Sequence, residues 1–473
     1  MELAVILVFV LGYAAITLEH QLKVDKLVPA IIMMAICWAL VTVGLDGFSN
    51  WFDSHNNTLM DITALASEAK HHLLEGTLLH HLGKTAEILI FLIGAMTIVE
   101  ITDHFDGFAA IKGFVKTNSK KTLLWIMAIL AFFLSAIIDN LTATIVLITI
   151  LKKILDDPKD RLWFAGMIVV AANAGGAWSP IGDVTTTMLW IGKRVTAEAL
   201  FVNLLLPSAV CMVIPVFIAS LLPAFKGDFK APEGNIVGGK HSVKMLCLGL
   251  GGIIFVPIFK TLTHLPPYVG MMLSLGIIAI VAEIITAREF SFSEMEDDSH
   301  PHSPVHTALS RIEMPSLLFF LGILMSVAAL ESLGQLFMLA QSVQNAIPNL
   351  DIVVMLIGAG SAVVDNVPLV AASMGMFQEP ENHPLWHFIA FSAGTGGSML
   401  IIGSAAGVVA MGMEKISFFW YFKNIAWLAL IGFVAGSMTF LGMKSADLII
   451  TNEEEAVVEQ VEELENSILL TAL

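Results

Sequence analysis

Apolar residues in this chain come in long unbroken stretches instead of alternating with polar ones. Stretches near twenty residues match the hydrocarbon thickness of a bilayer, and a lone span must be helical to satisfy its own backbone. The pattern predicts spans over residues 3–18, 24–45 and 84–101. Between the last two, residues 46–83 are polar, carry His55, His71, His72, His80 and His81, and read as a solvated, partly helical loop. Phe105, Phe108, Ile111 and Val115 then recur beside Lys112 and Lys116, as in a short helix lying in the interface.

Two runs are too long for one plain span. Thirty residues separate Lys121 from Lys152. A straight helix of that length would measure ~45 Å at ~1.5 Å per residue, against a core of ~30 Å. Lysines at both ends put both ends on one side, which predicts a re-entrant helical hairpin. Residues 161–193 are interrupted by NAGGAWSPIGD at 173–183, and its glycines and proline predict a broken span. A span at 199–225 and a Pro/Gly-rich linker at 227–240 follow. The plan then recurs, with spans at 242–259, 266–287 and 313–330 and an acidic loop at 290–306 carrying His300, His302 and His306. An interfacial helix (Leu333, Leu336, Phe337, Ala340, Val343), a hairpin at 351–377, a broken run at 385–413 and a last span at 418–443 complete it.

Three anchors register the halves: FLIG at Phe91 with FFLG at Phe319, the Asp139-Asn140 and Asp365-Asn366 pairs, and Gly176 and Gly182 with Gly397 and Gly403. Their offsets are 228, 226 and 221, close enough for one colinear duplication. Hairpins do not cross, so each half crosses five times, and an odd number inverts the second copy. The expected fold is an all-α polytopic membrane protein of two inverted repeats, each of five spans with a re-entrant hairpin and a broken helix. Residues 1–226 and 241–445 form the repeats, 227–240 the linker and 446–473 an acidic tail. With the first hairpin's ends placed in the cytoplasm, 18 of the 24 Lys and Arg residues fall inside and both termini fall outside.

Composition agrees. The chain is 56% hydrophobic and 14% charged, with mean hydropathy +0.82. Its net charge of −17 sits largely in acidic segments such as 294–298 and 453–465, so it says little about partners. No basic residue precedes the first apolar run, so a retained first span is expected over a cleaved leader. Cys37, Cys211 and Cys247 lie in apolar runs and are expected to be buried small hydrophobes.

The chemistry centres on SAIIDNLTAT at 135–144 and SAVVDNVPLV at 361–370. A carboxylate at membrane depth costs about 2.5–3.5 kcal/mol and usually marks an ion or proton path. At a hairpin tip Asp139 or Asp365 can cap the second half-helix, or offer oxygens to a small hard cation together with Thr142 and Thr144. Two matched carboxylates favour the second use. Asp183 follows a helix break, and its repeat partner is Ser404. Thr185, Thr186 and Thr187 read as packing residues, and Glu100, Asp103 and His104 as a solvated span end.

These boxes, with NAGGAWSPIGD and SAGTGGSMLIIGSAAG, resemble the NhaD family of sodium/proton antiporters within the ion transporter superfamily, over about residues 1–445. The resemblance implies a scaffold-and-transport-domain homodimer in the inner (plasma) membrane, moving by an elevator-like step. On this reading Asp139, Asp365 and Asp183 share a midplane cavity with Asn140, Thr142, Asn366, Asn173, Ser179, Thr395 and Ser398. Burial and mutual repulsion favour a protonated carboxyl, so Na+ or Li+ and H+ compete for the same oxygens. Neither a cofactor nor a nucleic-acid partner is expected. An anion symporter of the same fold would be repelled by the extra carboxylates. An intramembrane aspartyl protease would need a Gly-x-Gly-Asp box where this chain has Ser179-Pro-Ile-Gly-Asp183. A passive channel would lack coupled, saturable exchange.

Overall fold

The computed structural model of the chain describes residues 1–18, 22–53, 58–108, 117–152, 154–229, 239, 241–293, 303–363 and 366–451. Among these, eight helices are long and apolar enough to cross a membrane. The first half contains α1 (Glu2–Thr17), α2 (Leu27–Gly44) and α3 (Ser67–His104), then the hairpin pair α4 (Lys120–Ile138) and α5 (Asn140–Lys152). The broken helices α6 (Pro158–Gly176) and α7 (Val184–Ile191) follow, and then α8 (Ala197–Ala219). The second half contains α9 (Ser242–Thr263), α10 (Pro267–Ser293), α11 (Pro304–Arg311), α12 (Met314–Ser332) and α13 (Gln335–Ala346). Its hairpin pair is α14 (Leu350–Ser361) and α15 (Asn366–Met376), followed by α16 (Pro384–Gly396), α17 (Ala405–Glu414), α18 (Phe418–Asn424) and α19 (Ala426–Ser445).

Packing sorts these helices into two bundles. In one, α2 packs on α1 and α12, while α3 packs on α9, α10, α11 and α12. In the other, α4 and α5 pack on α6, α14 and α15 on α16, α17 on α5 and α6, and α8 on α19. Large apolar side chains such as Val43, Leu79, Leu262 and Phe419 remain outward-facing. That is the surface expected where the solvent is lipid.

Ion pairs fix where the hairpins open. Lys120, at the start of α4, meets Asp160 at 2.6 Å. Next door, Arg161 meets Glu414 at 3.0 Å, and Lys152, at the end of α5, lies 3.9 Å from the same carboxylate. Both ends of the first hairpin therefore share one face of the molecule. The second hairpin starts where Asp351 meets Lys444 at 2.7 Å, and near its end the Met374 carbonyl accepts from Arg194 at 3.1 Å. These contacts lie at the start of α8 and the end of α19, where Asn203 and Ile450 are joined. From there α8 runs back to the first hairpin's face, where Lys120 N–H donates to the Gly227 carbonyl at 3.1 Å. The two hairpins open at opposite ends.

Each hairpin is seated in the same way against its broken helix. Ser135 donates to the Ala172 carbonyl at 2.6 Å, and Ser361 to that of Ala393 at 2.7 Å. The same steps of 226 and 221 relate Phe132 against Gly175 to Gly358 against Gly396. A Cβ on Gly175 or Gly396 would lie 2.1 or 2.0 Å from the facing carbonyl oxygen, so only glycine permits the approach.

Several expectations are corrected. Residues 46–83 are not mainly a solvated loop: strands β1 (Asn50–Asp53) and β2 (Thr58–Asp61) pair there, and α3 begins at Ser67. Lys70 and His81 are buried, with the Lys70 ammonium donating to the Asp46 carbonyl at 3.2 Å. Among the described residues the fold is thus helical with one small β-ribbon. The last span is two helices meeting at Ile425. Cys247 is exposed, because an apolar stretch in a membrane protein can face lipid as readily as protein. The interfacial helix expected after Phe105 falls mostly on residues outside those described, as do most of the linker, the 290–306 loop and the acidic tail.

Candidate functional site: a carboxylate–amide network between the hairpins

Helix α4 ends at Ile138 and α5 begins at Asn140. Asp139 between them has φ 77° and ψ 160°, a conformation that L-residues rarely adopt. Its cost is of order 1–3 kcal/mol and has to be met by the surroundings. Part of that support is visible. The Asp139 carboxylate accepts from the Thr142 N–H at 2.7 Å and the Thr142 hydroxyl at 2.9 Å, which caps α5. Asp139 therefore does the capping work open to it in the sequence, and the residue also lines a cavity.

Asp183 holds the centre. It is 2% exposed and caps α7, accepting from the Thr185 N–H at 2.8 Å and the Thr185 hydroxyl at 2.7 Å. The Asn140 side-chain amide donates to its Oδ2, and the Asn366 amide lies 3.3 Å from each carboxylate oxygen. One carboxylate thus receives the first residue of the second half-helix of both hairpins. Asn140 also donates to Asn173 Oδ1 at 3.1 Å, and Asn173 donates to the Ser404 hydroxyl at 3.0 Å. Ser404 in turn caps α17. The network runs Asn366–Asp183–Asn140–Asn173–Ser404 and joins the two halves. Burying a carboxylate is very costly unless hydrogen bonds compensate, and amide donors from two elements supply that compensation.

A cavity of about 70 Å³ lies where the two bundles meet, lined by Asp139, Asn140, Asp183 and Asn366 from one and by Lys26 and Phe320 from the other. Carboxylate and amide oxygens together form a donor set suited to a small hard cation. Ligand sites commonly form at such junctions.

Other expected residues lie elsewhere. The Thr395 hydroxyl donates to the Phe391 carbonyl and that of Ser398 to the Thr395 carbonyl, both at 2.6 Å. The Ser179 hydroxyl accepts from the Ile181 N–H at 3.4 Å. None of these three lines the cavity; each hydroxyl bonds backbone within four residues of itself. Thr142 faces an adjoining cavity. Asp365 lies outside the described residues. Sequence reasoning undervalued Thr185 as a partner of Asp183, and it overlooked Ser404 as a network member and Lys26 as a cavity wall. Ser404 was detectable through its 221-residue offset from Asp183.

With this geometry in place, comparison with known proteins is decisive. The family described as "Citrate transporter" matches residues 13–386. Sodium/proton antiporter 1 of Arabidopsis thaliana is 40% identical over 448 residues, covering 93% of this chain and 72% of that protein. The Na(+)/H(+) antiporter NhaD of Alkalimonas amylolytica is 31% identical over 464 residues, covering 94% and 90% of the two chains. The chain belongs to the NhaD-type antiporter family. A crystal structure of the Alcanivorax borkumensis YdaH transporter superposes with TM-score 0.57 at 13% identity, covering 89% of this chain and 99% of that one. That likeness concerns the fold alone. Family and apolar helices together make this chain a multi-pass membrane transporter.

Proposed function

We propose that the chain exchanges Na+, or Li+, for H+ across the membrane, with Asp183, Asp139 and Asp365 as shared cation and proton sites. The observation that carries this reading is Asp183, a buried carboxylate that receives amides from both hairpins inside a cavity between two bundles. In the proposed cycle the ion displaces protons from these carboxylates, and the hairpin-bearing bundle shifts against its neighbour to present the site to the other side. The matched seats at steps of 226 and 221, and the hairpins' opposed ends, support two inverted repeats over residues 1–226 and 241–445. A homodimer in the inner membrane, with both termini outside, completes the proposal.

The alternative, an anion symporter, draws on the citrate description of the family and on Lys26 in the cavity wall. Dye-reported proton movement in everted vesicles, challenged in turn with Na+, Li+, K+ and citrate, tests both. Proton release from the vesicle lumen on adding Na+ or Li+, and none on adding citrate, is the expected result. A citrate response without a Na+ response would overturn the exchange reading.

A further inference from the structure

A second cavity, of about 370 Å³, adjoins the first and shares Met96, Leu141 and Glu313 with it. Thr142 lines the second cavity while Asp139, held by the Thr142 amide and hydroxyl, lines the first. The turn that carries the strained carboxylate therefore forms part of the partition between the two spaces. Thr149 and Ile150, near the Lys152 end of α5, lie along the second cavity, as does Val409 near the Glu414 end of α17. Those ends mark the face where the first hairpin opens, through the Lys152–Glu414–Arg161 contacts.

The opposite face is built differently. There Lys260 of α9 lies 4.6 Å from the Trp190 ring centroid, and Trp190 meets Phe91 of α3 edge-on at 6.1 Å. Lys260 also donates to the Trp190 carbonyl at 3.5 Å. Lys260 and Phe91 from one bundle thus pack against Trp190 from the other on that side, and Phe91 also lines the carboxylate cavity.

We infer that the second cavity is the ion's access route in this conformation, with Met96 and Leu141 as the gate between it and the carboxylate chamber. The inference rests on the exchange reading above and adds the direction and residues of passage. Glu100, Asp103, Asp106 and Glu313 line the route beside Arg311. With four acidic side chains against one guanidinium, the lining is predominantly acidic and raises the local cation concentration. The Lys260–Trp190–Phe91 contact is the matching closure on the other side.

The full chain carrying Cys247→Ala, reconstituted in proteoliposomes, tests this with Thr149→Cys or Val409→Cys and an impermeant, positively charged methanethiosulfonate. Thr149 is exposed, and Leu265 lies on the Lys260 face. Modification of Thr149→Cys should occur from the Lys152 face and remove most Na+-dependent proton movement. Leu265→Cys should be modified from the opposite face with exchange retained. If Thr149→Cys is inactive before modification, Val409→Cys carries the same comparison. Full exchange after complete modification, or labelling of neither cysteine from the Lys152 face, overturns the route. Failure of the Cys247→Ala parent to move protons in response to Na+ overturns the exchange reading instead, and the sidedness of labelling still decides the route.

Discussion

Asp183 and Asp139 each cap a helix, and the proposed exchange gives each a second task that substitution can separate. Asparagine caps about as well as aspartate. Asp139→Asn should therefore leave a folded, monodisperse protein while abolishing Na+-dependent proton movement, because the amide carries no charge and cannot accept the proton. Asp183→Asn should abolish it too, with a lower melting temperature, because its new NH2 would face the Asn140 amide, donor against donor. Near-normal exchange in either variant would reduce that residue to its cap. Asp365→Asn belongs to the same series through the proposed repeat. Asn173→Ala should act mainly on stability. It leaves the Asn140 amide one acceptor short and removes the donor to Ser404, at a cost of about 1–3 kcal/mol. A lower melting temperature in detergent, without a change in ion preference, is the expected result.

At the scale of elements, glycine decides whether the hairpins can seat. Gly→Ala in a helix normally stabilises by about 1 kcal/mol. At Gly175 and Gly396 the sign should reverse, since the new Cβ would collide with the Phe132 or Gly358 carbonyl. Gly412, in α17, is the control: nothing lies within 4 Å of its added Cβ. Gly412→Ala should keep or raise the melting temperature, and Gly175→Ala and Gly396→Ala should lower it along with folded yield. Equal behaviour of all three would show that the hairpins are not packed as described. The hairpins themselves answer to labelling. Cysteines at positions 121 and 152 should react from one face, and those at 351 and 379 from the other.

For the whole molecule, competition between ions is the deciding behaviour. If protons and sodium share carboxylates, acidification should raise the apparent KM for Na+, and saturating Na+ should partly restore the rate. The sign follows from the ligand: a protonated carboxyl offers a hydroxyl in place of an anionic oxygen, and a hard cation loses most of its attraction. The dependence should steepen where two coupled carboxyls must both deprotonate. Sodium titrations at several symmetrical pH values check this. A KM flat with pH, beside a changing maximal rate, would point to a separate pH sensor and sink the shared site.

Much of this was legible along the chain, because a membrane limits how an apolar sequence can fold. Lipid requires every spanning segment to satisfy its own backbone, so run length alone located most spans, and the surplus length between Lys121 and Lys152 revealed a hairpin. The duplicated Asp-Asn boxes drew the eye through their carboxylates, which are costly in lipid, yet it is their asparagines, Asn140 and Asn366, that meet at Asp183. Polar stretches carry no such constraint, and there the sequence was silent on the β-ribbon and the early start of α3. Tertiary structure alone decided which oxygens meet. Asp139 turns back to Thr142, while Asp183, 43 residues after Asn140 and 183 before Asn366, gathers both amides. Hydroxyls at 179, 395 and 398 look alike in sequence, yet backbone within four residues claims each of them locally. Such partners are chosen by distance across the bundle, which one-dimensional spacing does not encode.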